Sequence, residues 1–370
     1  MARTFVVEFS TTTSCNLRCK YCYSAHINKS MTKEAADLFF TSIPKLLEKY
    51  NCSDYNISFF GGDPLMNWDI IEYTLPKFNA DPLCKFCVCI TNGLLLDERK
   101  LNFLQEHNCG ISLSFDGLWN KDARPLANGK SSFDYYIKNK DLYTKLTSGC
   151  KVMMSPQNFP TLTENFEFFI EEYGFKFPDF SLVRDDIYTE QDLQIYDREI
   201  TRLADRVIKY NKEGINCNAG IFTLYMLDTI IGKKFGKRDH GCFAGHSGAL
   251  YSTDGKYYPC ERFSALKQHI LYDAVKDEFY DSIDILKQPK YTDNREFPEC
   301  KACVLYTFCN AGCTWSQLEY GKKEDRAKPV ESVCRLLKMS YREAFRVYKE
   351  LIPYGIENTL NNMLNTDKLI

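Results

Sequence analysis

The chain has 370 residues, of which 44% are hydrophobic and 26% are charged, so it can bury a full core and is not a disordered protein. Lys and Arg total 47 against 49 for Asp and Glu, a balance that offers no basic surface for nucleic acid. No apolar run approaches the roughly 18 residues of a membrane span, and no signal peptide is recognisable, so we expect a cytoplasmic protein with no membrane partner.

Short β-rich runs alternate with helical patterns over the first 210 residues or so. Strands are predicted at residues 4–11, 55–60, 86–91, 110–115, 150–155 and 179–183. Helices are predicted at 32–50, 68–78, 97–107, 132–146, 162–173 and 189–210. Six successive β-then-α units predict an α/β fold whose parallel sheet curves into a partial (β/α)6 TIM-like barrel, with chemistry at the carboxyl ends of its strands.

The pattern changes after Cys217. A helix is predicted at 221–233, a Gly-, Tyr- and Cys-rich region follows at 241–334, and a last amphipathic helix is predicted at 340–351. The chain has 17 cysteines and no secretory signal, which favours metal or redox chemistry over disulfides. We therefore predict a barrel over residues 1–215, a linker helix over 216–240, a small metal-centred domain over 241–340, and a helix and tail over 341–370.

The first group of cysteines follows the first predicted strand, with Cys15, Cys19 and Cys22 in CxxxCxxC spacing. Three thiolates this close can bind three irons of a cubane cluster and leave the fourth iron open for chemistry. The alternative is a zinc site completed by His26. The ends of the next three strands carry polar turns that should meet the cysteine loop at one rim: Gly61-Gly62-Asp63-Pro64, Thr91-Asn92-Gly93 and Ser114-Phe115-Asp116-Gly117.

With these segments in this order, the sequence resembles the radical S-adenosylmethionine (SAM) enzymes. In that family a CxxxCx(aromatic)C loop binds a 4Fe-4S cluster, SAM chelates the open iron, and reductive cleavage yields a 5'-deoxyadenosyl radical. The resemblance implies that Cys15, Cys19 and Cys22 are the cluster ligands. It also implies contacts with SAM. The aromatic residue is Tyr21, the turn that matches the family's GGEP segment with Asp for Glu is Gly61, Gly62, Asp63 and Pro64, and the polar side chains are Asn92, Ser114 and Arg124.

A second group of cysteines lies in the C-terminal region: Cys242, Cys260, Cys300, Cys303, Cys309, Cys313 and Cys334. A zinc ribbon would use the close pairs at 300–313 but not the other three, so seven spaced thiolates suit two metal centres better than one. The spacing is similar to the SPASM extension of radical SAM enzymes that modify peptides and proteins. The resemblance implies a distal auxiliary 4Fe-4S cluster on Cys300, Cys303, Cys309 and Cys334, and a proximal one on Cys242, Cys260 and Cys313.

The proximal cluster is thereby left with three ligands. Its fourth position is open, or a residue outside the motif closes it, with Cys217 as the upstream candidate. Among the remaining cysteines, Cys84 and Cys87 have the spacing of a redox motif. They border an apolar strand, however, and buried free cysteine packs as a small hydrophobe, so core packing is the preferred interpretation.

The two resemblances imply an enzyme that abstracts hydrogen from a substrate residue, with three 4Fe-4S clusters and SAM as cofactors and a flavodoxin or ferredoxin as electron donor. We expect a ribosomal-peptide maturase that forms a crosslink or another modification. The alternative is a formylglycine-generating protein oxidase of the anaerobic sulfatase-maturating type. A non-catalytic metal-bound binding protein is the remote alternative.

One residue bears on the reaction. In the sulfatase-maturating family an Asp follows the middle proximal-cluster cysteine and acts as general base, whereas here Glu261 follows Cys260. Glu261 is the candidate base, and an ion pair with Arg262 is the structural alternative. The early position of Cys15 leaves no room for the leader-binding winged-helix module of many peptide maturases. We therefore expect a leader to bind a separate protein or another surface, or the substrate to have no leader.

Overall fold

The computed structural model describes residues 3–146, 150–183, 188–235, 242–264, 269–280, 298–307, 309, 312–320, 329–358 and 360. The strands there are β1 (Arg3–Thr12), β2 (Cys52–Gly61), β3 (Cys84–Thr91), β4 (Cys109–Ser114), β5 (Cys150–Met154), β6 (Asp179–Leu182), β7 (Gly248–Tyr251), β8 (Lys256–Tyr258), β9 (Tyr272–Asp273) and β10 (Glu278–Phe279). The helices are α1 (Lys33–Tyr50), α2 (Trp68–Ala80), α3 (Glu98–Glu106), α4 (Phe133–Lys138), α5 (Lys140–Tyr143), α6 (Leu162–Glu167), α7 (Glu190–Lys212), α8 (Gly220–Phe235), α9 (Pro298–Lys301), α10 (Thr314–Tyr320) and α11 (Glu331–Leu351).

The predicted α/β class with a parallel sheet is confirmed, and all six predicted strands form. Three helices differ from prediction. The predicted helix at 162–173 is α-helical only as far as Glu167 and continues as a π-helix over Phe168–Tyr173. The predicted helix at 132–146 is divided into α4 and α5 at Asn139, whose side-chain amide donates to the Tyr135 carbonyl (2.8 Å). The last helix begins at Glu331 rather than at residue 340, because the buried Val333, Leu336 and Leu337 extend its apolar stripe.

The chain divides into two compact units. The first comprises Met1–Ser114, Asn120–Ser148 and Cys242–Thr292. Its strands follow the order β10-β9-β8-β7-β1-β2-β3-β4. Strands β1 to β4 are parallel, and β7 pairs in parallel with β1 so that Glu8 lies opposite Leu250. Strands β7 to β10 then continue as an antiparallel meander that the sequence analysis did not predict.

Aromatic rings fill the core of the first unit around Phe9 of β1. The Phe9 ring stacks on Tyr251 of β7 at 5.6 Å and meets Phe39, Phe59 and Phe78 edge to face at 5.4–5.9 Å. Each such pair adds about 0.5–1.5 kcal/mol beyond the area that it buries. The ring cluster therefore fastens β7, which belongs to the Cys-rich region of the sequence, to the centre of the parallel sheet.

The parallel strands direct four chain segments to one edge of the sheet. Strands β1, β2, β3 and β4 end at Thr12, Gly61, Thr91 and Ser114, and parallel strands place their carboxyl ends together. Helix α1 returns the chain from that edge. It begins where the Thr32 hydroxyl caps the Ala35 N–H (3.2 Å), and it ends at Asn51 in the left-handed conformation. The predicted site residues of the first 124 positions follow these strand ends.

The second unit comprises Phe115–Trp119, Gly149–Gly241 and Asp293–Ile370. Strands β5 and β6 pair in parallel, and the long helices α7 and α11 pack on each other. Buried Glu343 of α11 accepts hydrogen bonds from Arg342 and Arg346, each at 2.7 Å. Among the described residues, no helix is both long and apolar enough to cross a membrane. The predicted domain limits at residues 215, 240 and 340 stay predictions.

Candidate functional site

The cysteine loop follows β1 directly and is held by backbone hydrogen bonds. The N–H groups of Arg18 and Lys20 donate to the carbonyls of Pro125 (2.8 Å) and Ala123 (2.9 Å). Within the loop, the Cys22 N–H donates to the Cys19 carbonyl (3.0 Å). Cys15 and Cys19 are half-buried and Cys22 is exposed, so solvent reaches part of the loop.

Polar donors lie next to two of these sulfur atoms. The Leu17 N–H donates to Cys15 Sγ at 3.4 Å, and Asn92 Nδ2 lies 3.8 Å from the same sulfur. Arg124 Nη1 lies 3.9 Å from Cys19 Sγ. Burial raises the pKa of Cys15 to about 11, and the negative charges of Asp63, Cys19 and Cys22 add to the rise. Such a group of thiolates needs bound cations to be stable, which is the behaviour of metal-ligating cysteines.

Two kinds of metal centre are predicted for the cysteine loop. Tetrahedral zinc needs its ligands to converge at about 2.0–2.3 Å from a single ion, whereas a cubane cluster binds each thiolate to a different iron. Three thiols on one short loop supply the donors of a 4Fe-4S cluster. For a zinc site His26 would be the fourth ligand, and its Nδ1 is buried without a hydrogen-bond partner.

Two glycines let the end of β2 approach the cysteine loop. A Cβ atom at Gly61, where φ is +121°, would lie 2.0 Å from the Thr12 carbonyl oxygen, and one at Gly62 would lie 2.2 Å from that of Ser14. The Gly62 and Asp63 N–H groups donate to these same carbonyls, each at 2.8 Å. Only glycine at both positions permits this backbone contact.

We expect Gly62→Ala to destabilise the protein by about 3 kcal/mol, the upper end of the usual cost of overpacking, because the clash is with backbone rather than with a flexible side chain. Gly129→Ala is the matched control, since its added Cβ meets nothing within 4 Å. That variant should cost only about 1 kcal/mol for its left-handed backbone. Urea unfolding followed by circular dichroism measures both, and equal losses in the two variants would contradict the steric argument.

Asp63 is only 1% exposed, and its carboxylate accepts hydrogen bonds from the end of β3 and from the turn that follows β2. The donors are the Asn92 N–H (2.7 Å), the Thr91 hydroxyl (2.9 Å) and the Leu65 N–H (3.1 Å). Burial raises the pKa of Asp63 to about 6, and these donors oppose the rise. The side chain therefore joins the ends of β2 and β3, and its main chain remains the predicted contact for SAM.

The other predicted SAM contacts lie around the same loop. The Asn92 side chain donates to Asn16 Oδ1 (2.7 Å) and accepts from the Leu94 N–H (2.9 Å). The buried Arg124 guanidinium lies 5.3 Å from the centre of the Tyr21 ring, a cation–π contact. At the end of β4, the Ser114 carbonyl accepts from the Tyr136 hydroxyl (3.3 Å), which also donates to the Asn92 carbonyl (2.6 Å). The structure thus brings Tyr21, Asn92, Ser114 and Arg124 to one rim.

Glu261, the candidate base, faces a second carboxyl group. Glu261 is 7% exposed, and its N–H donates to Glu8 Oε2 at 3.1 Å. Burial raises the pKa of Glu261 to about 8; the charge of Glu8 adds to this rise, and a hydrogen bond with Ser24 opposes it. Burial also raises the pKa of Glu8 to about 7. Two carboxyl groups in this arrangement are well suited to hold and release a proton.

Arg262, the alternative partner of Glu261, has other neighbours. Its guanidinium lies 3.8 Å from the centre of the Tyr23 ring, and its charge lowers the pKa of Glu8. The Tyr23 side chain is 46% exposed and lies close enough to Glu8 and Glu261 to interact with their charges. Sequence reasoning missed Glu8 and Tyr23. The signal for Glu8 was a charged residue inside the apolar run of the first predicted strand.

The C-terminal cysteines are distributed over the two units. Cys242 and Cys260 belong to the first unit and Cys313 to the second. Within the second unit, burial raises the pKa of Cys334 to about 12, and the negative charges of Cys309, Cys300 and Cys303 contribute to the rise. The four predicted ligands of the distal cluster are therefore neighbours.

Cys217 is buried, and its carbonyl accepts a hydrogen bond from the Asn211 side chain (2.7 Å), as expected of a core residue.

Comparison with known proteins gives this geometry a context. A family model described as the radical SAM superfamily matches residues 9–158. The chain is 29% identical over 151 residues to the radical SAM cyclopropyl synthase TigE of Paramaledivibacter caminithermalis, a match that covers 37% of this chain and only about a third (32%) of TigE. It is 22% identical over 362 residues to a cysteine-type anaerobic sulfatase-maturating enzyme of Clostridium perfringens, covering 90% of this chain and 93% of that enzyme.

Two solved structures share the fold. Native anSMEcpe with bound AdoMet and Cp18Cys peptide superposes with a TM-score of 0.70 at 21% identity, covering 97% of this chain and 99% of that one. Streptococcus suis SuiB bound to precursor peptide SuiA superposes with a TM-score of 0.56 at 17% identity, covering 90% and 76%. The cysteine loop and the strand-end turns described above lie inside the matched segment. Residues 9–158 therefore match the radical SAM superfamily, and the chain carries a radical SAM domain.

Proposed function

We propose that this radical SAM enzyme abstracts hydrogen from a residue of a peptide or protein substrate and that Glu261 accepts a proton in the same reaction. The observation that carries the proposal is the position of Glu261. It is a buried carboxyl directly after Cys260, and it faces Glu8 in the same unit as the Cys15–Cys22 loop. A carboxylate held in this way is the usual form of a general base in a site that excludes water.

The residues that would hold the cofactors follow from the site. Cys15, Cys19 and Cys22 would ligate the 4Fe-4S cluster, and the Gly61–Pro64 turn with Tyr21, Asn92, Ser114 and Arg124 would hold SAM. When bound, this pair would supply the 5'-deoxyadenosyl radical. The Asn92 amide and the Arg124 guanidinium, close to Cys15 and Cys19, would offset the negative charge of the loop.

Two auxiliary clusters complete the proposal. The mutual electrostatic effects of Cys300, Cys303, Cys309 and Cys334 support a distal cluster on these four residues. Cys242, Cys260 and Cys313 are proposed for the proximal cluster. A low-potential flavodoxin or ferredoxin is proposed as the electron donor. If Cys260 binds the proximal cluster, that cluster would be an electron acceptor next to Glu261, the proposed proton acceptor.

The proposed substrate is a ribosomal peptide in which a crosslink or another modification is formed. The likeness to SuiB, whose structure holds the precursor peptide SuiA, supports a peptide substrate. Formylglycine formation is the second candidate, because the sulfatase-maturating relative is matched over nearly its full length. Both reactions remove hydrogen from a residue and need a proton acceptor, so Glu261 has the same role in each.

The test is a substrate screen with the anaerobically reconstituted, dithionite-reduced enzyme. The probes are a sulfatase-derived peptide that carries Cys, its Ser counterpart, and precursor-like peptides encoded beside the gene. We expect one peptide to increase 5'-deoxyadenosine formation and to change mass. In the Cys peptide, loss of two hydrogens with sulfur retained indicates a crosslink, and loss of two hydrogens with replacement of the sulfur by oxygen indicates formylglycine. In the Ser peptide, formylglycine is a loss of two hydrogens, and the new aldehyde reacts with a hydrazine reagent. Stimulation by small molecules alone would overturn the peptide proposal.

A further inference from the structure

Strand β3 begins with a pair of cysteines that the proposed function does not use. Cys84 and Cys87 are three residues apart, and in a regular strand such residues point to opposite faces. Here Tyr55 of β2 lies opposite Cys84, and Asn56 lies opposite Phe86, so Lys85 is an extra residue in β3. This β-bulge shifts the alternation by one residue. Cys84 and Cys87 therefore share a face, and their sulfur atoms lie 3.7 Å apart.

The surroundings give the two thiols different roles. Cys84 is half-buried and can be reached from solvent, whereas Cys87 is 3% exposed. Cys109 of β4 lies opposite Cys87 in the sheet. The hydrogen bond with Cys84, burial, and the charges of Cys84 and Cys109 raise the pKa of Cys87 well above its usual range. Cys84 is therefore the thiol that meets an external reagent, and Cys87 is the protected partner behind it.

The pair is also separate from the candidate site. Cys84 opens β3, while Thr91 and Asn92, which belong to the candidate site, lie at its other end. A disulfide needs an S–S bond of about 2.05 Å, so the two sulfurs would have to approach by about 1.7 Å. A bulge is the part of a strand best able to absorb such a shift, because its extra residue is not paired.

We propose that Cys84 and Cys87 are a redox modification site that closes to a disulfide with a low-molecular-weight disulfide as oxidant. The Cys84 thiolate attacks a sulfur of glutathione disulfide, which releases one glutathione thiolate and forms a mixed disulfide. Cys87 then loses its proton and attacks the Cys84 sulfur, which releases the second glutathione. Two protein thiols are oxidised and one glutathione disulfide is reduced to two thiols, so atoms and electrons balance.

The chain offers a direct test, because trypsin cleaves after Lys85, between the two cysteines. The cluster-loaded full-length protein is equilibrated anaerobically with mixtures of oxidised and reduced glutathione, quenched with acid, alkylated and digested. We expect the peptide 78–85 to be linked to the peptide 86–99 in oxidising mixtures, with fragmentation placing the bond at Cys87 rather than at Cys89. The link should appear progressively as the oxidised fraction rises.

Variants separate this site from general oxidation. Cys84→Ser should abolish the link, whereas Cys52→Ser, which removes another half-buried thiol of the first unit, should leave it unchanged. Three results would overturn the proposal: free thiols at both positions in fully oxidised glutathione, a glutathione adduct on Cys84 that never closes, or a bond from Cys84 to Cys89 or Cys109. Fragmentation of the wild-type product decides among them even if a variant fails to fold.

Discussion

A variant in which Cys15, Cys19 and Cys22 are all replaced by alanine is expected to form no 5'-deoxyadenosine from SAM. The wild type should contain about twelve irons in three 4Fe-4S clusters, and the variant should retain about eight. The physical reason is that these three thiols, which lie on one loop beside the amide of Asn92 and the guanidinium of Arg124, are all of the protein ligands proposed for that cluster. Iron analysis and a dithionite-driven SAM cleavage assay after anaerobic reconstitution measure both effects.

The matched control removes cysteines of similar exposure from the same unit. Cys52→Ala/Cys84→Ala changes two half-buried cysteines that belong to none of the three proposed ligand groups. This variant should bind wild-type iron and cleave SAM at the wild-type rate. SAM cleavage that persists in the triple variant, or zinc in place of iron in the wild type, would show that the loop is not the cluster site.

Glu261→Gln is expected to separate SAM cleavage from product formation. Glutamine has nearly the same shape as glutamate but cannot accept the proton, and a general base contributes about 10²–10⁴-fold to a rate. Modified peptide should therefore fall by about 100-fold or more, while 5'-deoxyadenosine and iron content stay close to wild type. Quantifying 5'-deoxyadenosine and modified peptide in the same reaction measures the ratio directly.

Glu8 supplies the companion variants. Its carboxylate accepts the Glu261 N–H, so it acts through Glu261 as a positioning residue. Glu8→Gln keeps an oxygen acceptor and should reduce product modestly, by about tenfold or less, whereas Glu8→Ala leaves the buried N–H unpaired and should reduce it further. Glu48→Gln, a change on the exposed surface of α1, should have no effect. Wild-type product yield from Glu261→Gln would assign the proton acceptor to another group.

The parallel sheet and the cysteine groups could be predicted because their signals are local. Strand runs and helical periodicity alternate along the first 183 residues, and CxxxCxxC spacing can be recognised within eight residues. The pairing of Asp63 with Thr91 and Asn92 could not be foreseen in detail, since it depends on how the ends of β2 and β3 are aligned in the sheet. The sequence predicted only that these residues lie at the same edge of the sheet, because parallel strands end on the same side.

Contacts over long sequence distances escaped prediction. Strands β7 to β10 are two to four residues long in a segment dominated by Gly, Tyr and Cys, too short for a recognisable alternation. Without β7 beside β1, nothing places residue 8 next to residue 261. The redox spacing of Cys84 and Cys87 was visible, but the neighbouring apolar strand favoured core packing. The contact between their sulfurs depends on the bulge at Lys85, which the sequence does not reveal.

The parallel pairing of β1 with β7 has a consequence for the modularity of the chain. If the chain ended before residue 248, β1 would become an edge strand, with unpaired backbone groups along Val6–Phe9 and no Tyr251 ring on Phe9. Exposed edges of this kind promote association between chains. The strand that leads to Cys15 and the hairpin that leads to Cys260 therefore depend on each other. The Cys-rich segment completes the sheet in addition to supplying cysteine thiols.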